Sequence, residues 1–134
     1  MHKHILRLRQ EVLTHEYDSR MSFRLAASIV RGGSVLSVGF NSLKLNRFIE
    51  NSLVQANMHG MHHLGTHAEV DAVLKIRAKV DLTGTKIFVA RVRPGGELGM
   101  AKPCRLCQHI LGRYGVVRAV YSIDDRTYGV MRII

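Results

Sequence analysis

The stretch that decides the fold runs from residue 85 to residue 123 and reads TKIFVARVRPGGELGMAKPCRLCQHILGRYGVVRAVYSI. Its apolar, β-branched ends predict strands, and its Pro-Gly-Gly run predicts a break after the first of them. Pro103 predicts a helix start, because proline suits the first helical turn. The predicted elements are a strand at 85–92, a loop at 94–102, a helix at 103–112 and a strand at 116–123. This succession favours a layered α/β domain.

The flanking segments extend the same pattern on both sides. The further predicted elements are a helix at 5–17, strands at 22–30 and 35–40, a short helix within 45–54, a loop at 57–65, a helix at 66–80 and a strand at 127–133. The Arg31-Gly32-Gly33-Ser34 run predicts a hairpin turn between the first two strands. We expect one central mixed sheet of about five strands, in a single domain over residues 1–134.

Composition limits the classes of protein that fit. The 134 residues are enough for one buried core, and 46% apolar with 22% charged residues is an ordinary globular balance. No stretch approaches the roughly 20 apolar residues of a membrane span. The basic N-terminus lacks the uninterrupted apolar core of a secretory signal, so we expect no membrane partner and a cytoplasmic protein.

The charge balance points to anionic partners without proving one. Twenty Lys and Arg residues against ten Asp and Glu residues give a formal net charge of +10. Such a field attracts nucleic acid or nucleotide phosphate, but it also occurs as a general basic background. Aromatic residues make up 6% of the chain and tryptophan is absent, which disfavours a surface that stacks successive bases. Single-stranded nucleic acid stays a second candidate partner.

The only two cysteines, Cys104 and Cys107, are separated by two residues. That spacing is typical of a metal site or a redox dithiol. With His67 they make three zinc ligands, and a catalytic zinc site uses three protein ligands and leaves a fourth position for water. Two cysteines three residues apart lie on one helix face, and a helix N-terminus favours the thiolate.

Glu69 follows His67 by two residues, so on a helix it turns away from that histidine by about 200°. It need not be a ligand, and a carboxylate beside the metal can take a proton from a bound water and return it. Thr66-x-x-Glu69 is also the signature of a capping box, and the two interpretations are compatible.

His67-Ala68-Glu69 together with Pro103-Cys104-x-x-Cys107 resembles the cytidine deaminase superfamily, and the resemblance covers nearly the whole chain from about Ser22. It implies a three-layer α-β-α fold, a zinc cofactor, and a glutamate that is an acid/base and not a ligand. It also implies attack at C4 of cytosine or C6 of adenine, and a homo-oligomer. Gly39-Phe40-Asn41 is similar to the family's Gly-x-Asn, whose amide contacts the nucleoside. The substrate-binding residues implied by the resemblance are Asn41, Ala68 and Pro103.

The two ends of the chain resemble different branches of that superfamily. The run from Tyr121 to Val130 looks like the terminal hairpin of free-nucleoside cytidine deaminases. Gly39-Phe40-Asn41 is closer to the deoxycytidylate and tRNA branches. Extra residues around 93–101, compared with most members, predict a loop near the mouth of the site. The resemblance therefore leaves the substrate open.

Several residues carry two interpretations each. Asn41 is either a substrate contact or a turn residue at a strand end. Lys44 and Arg47 are phosphate-binding candidates, although exposed helix charges are the commoner explanation, and Arg105 is a further candidate at the rim of the site. Candidates for a second metal, in what is otherwise a solvated loop, are His59, His62 and His63.

The leading hypothesis is a zinc-dependent hydrolase that deaminates cytosine in a free nucleoside or nucleotide, of the cytidine or dCMP type. The first alternative is deamination of cytosine or adenine in single-stranded RNA or DNA. The second is a non-catalytic zinc-binding module, which has no use for Glu69.

Overall fold

The computed structural model of the protein describes residues 1–44, 46–56 and 65–134. Its helices are α1 (Lys3–Thr14), α2 (Arg47–Gln55), α3 (Ala68–Ile76) and α4 (Arg105–Arg113). Its strands are β1 (Arg24–Arg31), β2 (Ser34–Phe40), β3 (Lys86–Val92), β4 (Leu98–Gly99), β5 (Arg118–Ser122) and β6 (Tyr128–Arg132). The expected helices and the five expected strands are confirmed. The predicted loop at 57–65 lies outside the described residues except for Gly65.

A sixth strand, β4, occupies part of the segment for which only a loop was predicted. It pairs antiparallel with the end of β3, with Arg91 opposite Gly99 and Val92 opposite Leu98. A two-residue strand is too short to produce an alternating pattern in the sequence, so only its partner strand reveals it.

The strands form one mixed sheet in the order β2-β1-β3-β5-β6, with β4 attached to β3. Among the strands of the described residues, only β3 and β5 pair in parallel, while the pairs β1–β2, β1–β3 and β5–β6 are antiparallel. The parallel pair is the strand–helix–strand unit of residues 85–123, and the antiparallel pairs are those of the predicted hairpins and the β1–β3 contact. The prediction of a mixed sheet is therefore confirmed.

Side-chain alternation along the strands builds two apolar layers, one on each face of the sheet. On one face the helix α1 packs against Ala26, Phe88 and Ala90. On the other face Ala27, Ile87 and Val89 pack with residues of α3 and α4. Helices on both faces give the expected three layers. Because α3 and α4 share a face, their N-termini are brought into contact range.

The helices are short. The longest, α1, has 12 residues, or about 18 Å at 1.5 Å per residue. None of the helices within the described residues is long and apolar enough to cross a membrane.

Candidate metal centre and substrate cavity

Three potential metal ligands meet where α3 and α4 begin. His67 is the N-cap residue of α3, Cys104 is the N-cap residue of α4, and Cys107 lies one turn into α4. The His67 Nδ1 atom lies 3.2 Å from the Cys107 Sγ and 3.6 Å from the Cys104 Sγ. All three ligand atoms lie within 4.8 Å of one another.

These separations fit a zinc ion. Zn–S and Zn–N bonds of about 2.3 and 2.0 Å at tetrahedral angles place sulfur and nitrogen roughly 3.6 Å apart. The donor set of one imidazole and two thiols is also one that zinc prefers. Neither cysteine is in a disulfide.

The start of α4 differs from the prediction. Pro103 does not lie in the first helical turn, because α4 begins at Arg105. The N-cap residue Cys104 has extended backbone angles, φ −71° and ψ 169°, and its side chain makes no capping hydrogen bond. Because it stands before the first turn, its sulfur reaches His67 on the neighbouring helix.

The predicted capping box at the start of α3 is also wrong. The N-cap residue is His67 rather than Thr66, and its side chain does not cap the helix. The Thr66 hydroxyl instead donates to the Lys44 carbonyl at 2.9 Å. Glu69 is therefore not engaged in reciprocal capping with Thr66.

The ligand cluster holds its ionisable groups in unequal states. Hydrogen bonds with Cys107 and then His67 lower the pKa of the Cys104 thiol to about 3. The hydrogen bond with Cys104, together with burial, raises the pKa of the Cys107 thiol. The hydrogen bond with Cys104 raises the pKa of His67. Of the two sulfurs, that of Cys104 favours the thiolate more, and a bound cation would favour the thiolate form of both.

Glu69 lies beside this cluster but outside it. Its side chain is 4% exposed, and the cluster of candidate ligands in the described residues does not include its carboxylate. Burial raises the pKa of the Glu69 carboxyl above its ordinary value. The position suits a group that takes and returns a proton.

A cavity of about 330 Å³ opens next to these groups. That volume is within the range of small-molecule sites. Among the residues lining it are His67, Ala68, Glu69 and Cys104 on one side and Asn41 on another. Pro103 is buried and is not among the lining residues, and its carbonyl accepts a hydrogen bond from Gln108 Nε2 at 2.8 Å. Of the three predicted substrate contacts, the structure therefore brings Asn41 and Ala68 to the cavity.

The Asn41 amide also has a structural role. Its Oδ1 accepts from the Leu25 N–H at 2.8 Å, and its Nδ2 donates to the Phe23 carbonyl at 2.8 Å. These bonds tie the end of β2 to the beginning of β1, and Leu25 and Phe23 themselves line the cavity. Asn41 therefore shapes the cavity wall whether or not it touches a substrate.

The close packing of β2 against α3 requires a glycine at position 39, two residues before Asn41. A Cβ atom there would lie 2.3 Å from the Ala72 backbone nitrogen and 2.4 Å from the Ala68 carbonyl oxygen. The absence of a side chain lets β2 approach the first turns of α3. That approach sets the position of Ala68 and Glu69 relative to the sheet.

The cations that line the cavity are not the ones that the sequence suggested. Lys44, Arg47 and Arg105 are not among the residues that line the cavity, whereas Arg91 and Lys102 are. The sequence signal that could have found Arg91 is a charged residue within an otherwise apolar strand. The second-metal candidates His59, His62 and His63 lie outside the described residues.

The extra segment at 93–101 forms a hairpin with β3 rather than an open loop. The Arg93 N–H donates to the Glu97 carbonyl at 2.8 Å. The buried Ser122 hydroxyl then donates to the Gly99 carbonyl at 2.7 Å. Only the end of this segment, Met100 and Ala101, reaches the cavity, as does Lys102 beyond it.

Comparison with known proteins gives a family. Residues 1–123 match the family model described as the cytidine and deoxycytidylate deaminase zinc-binding region. No curated protein sequence gave a match.

Three solved structures show the same fold. A cytidine deaminase from Burkholderia pseudomallei is 17% identical with a TM-score of 0.66, covering 99% of this chain and 94% of its own. A dCMP deaminase from the cyanophage S-TIM5, in complex with dCMP and dUMP, is 18% identical with a TM-score of 0.57. The match covers 88% of this chain and 76% of the cyanophage chain. The third is a diaminohydroxyphosphoribosylaminopyrimidine deaminase/5-amino-6-(5-phosphoribosylamino)uracil reductase from Thermotoga maritima. It is 16% identical with a TM-score of 0.52, and the match covers 87% of this chain and 27% of the Thermotoga chain. With its family match, fold and clustered histidine and cysteines, the chain belongs to the cytidine and deoxycytidylate deaminase zinc-binding family.

Proposed function

We propose that the protein is a zinc-dependent hydrolase that converts cytosine to uracil in a free nucleoside or nucleotide and releases ammonia. The observation that carries the proposal is the buried Glu69 carboxyl beside the His67, Cys104 and Cys107 cluster, at one wall of a cavity of about 330 Å³. A zinc module without catalytic activity has no need of a buried carboxyl at that place.

His67, Cys104 and Cys107 would hold the metal. When bound, zinc supplies a Lewis acid that lowers the pKa of a water molecule in its open coordination position. Three protein donors would leave one coordination position for water, and two of the donor residues, His67 and Cys104, line the cavity.

Glu69 moves the protons in this proposal. Its carboxylate accepts a proton from the water that attacks C4 and delivers it to N3 of the cytosine, and it then moves the remaining hydroxyl proton to the C4 amino group. The C4–N bond breaks, ammonia leaves, and the C4=O bond of uracil forms. Burial supports this role, because a raised pKa brings a carboxyl closer to the pH at which it must both accept and donate.

Asn41, Ala68 and Pro103 are proposed to position the substrate, by resemblance to the family. The first two line the cavity, with the Ala68 backbone at the beginning of α3, directly beside the metal ligand His67. Pro103 precedes Cys104 and orients the turn that carries it, so its contribution to binding is through that turn.

A second candidate function is deamination of a base in single-stranded RNA or DNA. The net charge of +10 supports it, and so does Phe23, which lines the cavity with 55% of its surface exposed. An exposed aromatic ring next to a reacting base is a stacking platform. We also propose that the protein is cytoplasmic and, on the family resemblance, that it forms a homo-oligomer.

The decisive experiment compares zinc-loaded wild-type protein with Glu69→Gln by mass-spectrometric detection of deaminated product. The substrates are cytidine, deoxycytidine, CMP, dCMP, adenosine and short single-stranded RNA and DNA. We expect turnover of a monomeric cytosine compound, and a loss of about 100- to 10,000-fold in the variant with its zinc content unchanged.

Other outcomes redirect the assignment. Turnover of oligonucleotides alone would replace the leading proposal with the second one. Equal activity of wild type and Glu69→Gln would remove Glu69 from the chemistry. Zinc binding without turnover on any substrate would favour a non-catalytic module.

A further inference from the structure

Arg91 occupies an unusual position for a charged residue of a central strand. It is the next-to-last residue of β3, paired with Leu25 on β1 and with Gly99 on β4. Leu25 and Arg91 both line the cavity that His67 and Glu69 share. The carboxyl end of a parallel strand is where open α/β sheets bind their ligands.

The guanidinium of Arg91 is held in place by an aromatic ring rather than by an acid. Its Cζ atom lies 4.4 Å from the centroid of the Phe23 ring. Stacking of this kind restrains the plane of the group and leaves the N–H groups at its edge for an oxyanion.

Arg91 also lacks an anionic partner within the described residues. The ion pairs found there join Arg20 to Asp18 and Lys75 to Asp71. The Nε atom of Arg91 is buried and donates no hydrogen bond to any described residue. A desolvated donor on a cation without an acceptor is unfavourable, so the position favours binding of an anion.

The other charged groups around the cavity strengthen this preference. Lys102 is exposed and lines the same cavity. Among the lining residues within the described part of the chain, Glu69 is the one carboxylate, and it belongs to the reaction site. Other than Glu69, the two permanently charged side chains of the lining, Arg91 and Lys102, are both cations.

We propose that Arg91 binds a phosphate group of the substrate, assisted by Lys102, so that the enzyme prefers phosphorylated cytosine compounds to free nucleosides. The planar guanidinium matches two phosphate oxygens, which a single ammonium does not. The phosphate is either the monoester of a nucleotide or the diester of a single strand. The inference rests on the proposed function, because the cavity is then the substrate site.

Steady-state kinetics test the assignment with Arg91→Gln and Arg91→Lys. The substrate pairs are cytidine with CMP and deoxycytidine with dCMP, and short oligonucleotides form a third arm. We expect Arg91→Gln to lower kcat/KM for the phosphorylated compounds by about 10- to 100-fold, mainly through KM. The values for free nucleosides should stay within about twofold, and Arg91→Lys should fall between.

Arg24→Gln is the matched control. Arg24 neighbours Leu25 on β1, stacks over the Tyr17 ring at 5.6 Å, and does not line the active-site cavity. Arg24→Gln removes the same charge as Arg91→Gln at the same end of the sheet, so a general electrostatic effect would appear in both variants. Equal losses in the two variants, or an equal loss for nucleosides and nucleotides in Arg91→Gln, would overturn the proposal.

A binding measurement separates this inference from the proposed function. Calorimetric titration of the wild type with dUMP and with deoxyuridine requires no turnover. Tighter binding of dUMP that disappears in Arg91→Gln supports the phosphate site even if no deamination is detected. Turnover of nucleosides and nucleotides at equal efficiency, with equal affinity for both ligands, rejects the phosphate site and leaves the deaminase assignment intact. Loss confined to oligonucleotides identifies the diester as the source of the phosphate.

Discussion

Two of the described helices have a histidine as their N-cap residue, and the two histidines behave differently. At α1, His2 caps the helix by accepting the His4 N–H at its Nδ1, and both rings lie 4.7 Å from the Phe88 ring. At α3, His67 makes no capping bond and directs its Nδ1 to Cys107 and Cys104. The residue type and the helix position are the same, but the neighbours differ.

The neighbours also shift the histidine pKa values in opposite directions. Burial, followed by nearby cations such as Lys3, lowers the pKa of His2 and of His4. The hydrogen bond with Cys104 raises the pKa of His67, and the nearby charge of Glu69 acts in the same direction. A histidine at a helix start is therefore a packing residue or a ligand depending on which strand or helix faces it.

The largest expected effect is on bound zinc, which a substitution at the α3 start should remove and one at the α1 start should not. His67→Ala should reduce bound zinc from about one ion per chain to nearly none and lower turnover by at least roughly 1000-fold. His2→Ala should keep both zinc and turnover, because the His2 ring packs against Phe88 and lines a different cavity. Elemental analysis of purified protein measures this, and zinc retention by His67→Ala would contradict the ligand assignment.

The next effect concerns how the α3 start is held against the sheet. Gly39→Ala places a Cβ atom within 2.4 Å of two backbone atoms of α3, so it should cost about 3 kcal/mol or more of unfolding free energy. Gly33→Ala is the control in the turn of the same hairpin. Its Cβ atom meets nothing within 4 Å, and only its φ of 83° opposes the change.

We expect Gly33→Ala to cost about 1–2 kcal/mol, with the metal site unchanged. Urea unfolding together with zinc content distinguishes the two glycines. Equal costs for both variants would mean that α3 does not depend on the close approach of β2.

A smaller effect is expected from the wall of the cavity. Asn41→Ala removes two hydrogen bonds to the backbone of Phe23 and Leu25, so we expect a loss of about 1–3 kcal/mol in unfolding free energy. Asn41→Asp keeps the acceptor for the Leu25 N–H and should lose less. A rise in KM without any loss of stability would instead identify Asn41 as a substrate contact alone.

The smallest effect concerns pH at the α1 start. Because the pKa of His4 is lower in the folded protein than its ordinary value of about 6.5, the unfolded chain binds this proton first. The contribution of His4 to stability should therefore fall as the pH drops below about 6.5. His4→Phe keeps the ring contact with Phe88 and removes the titration.

Urea unfolding at pH 7.5 and pH 5.5 compares the two proteins. The wild type should lose more stability on acidification than His4→Phe does. Because His67 titrates in both proteins, its contribution cancels from the comparison. Equal losses would show that His4 is not responsible.

Local pattern predicted most of the fold. The apolar runs of β1, β3 and β5 and the Gly-Gly turn at 32–33 are short-range signals, so they are visible in a single sequence. Strand β4 was missed because two residues carry no period, and its pairing with β3 is a contact between segments. The capping box at Thr66 and the position of Pro103 in the first helical turn were also predicted wrongly, because local signals did not locate the helix starts. Both helices begin one or two residues later than their sequence signals indicate, so that His67 and Cys104 stand in front of the first turn.

The sequence by itself determined the chemical inventory: one histidine, one glutamate and two cysteines in two spaced motifs, on segments whose periods make a layered α/β domain. Tertiary structure decided which groups meet. It placed α3 and α4 on one face of the sheet, buried Glu69, and turned Arg91 rather than Lys44, Arg47 or Arg105 toward the cavity. Motifs are local and can be read from spacing, whereas burial, an absent ion-pair partner and a shared cavity depend on residues distant in the chain, which only packing brings together.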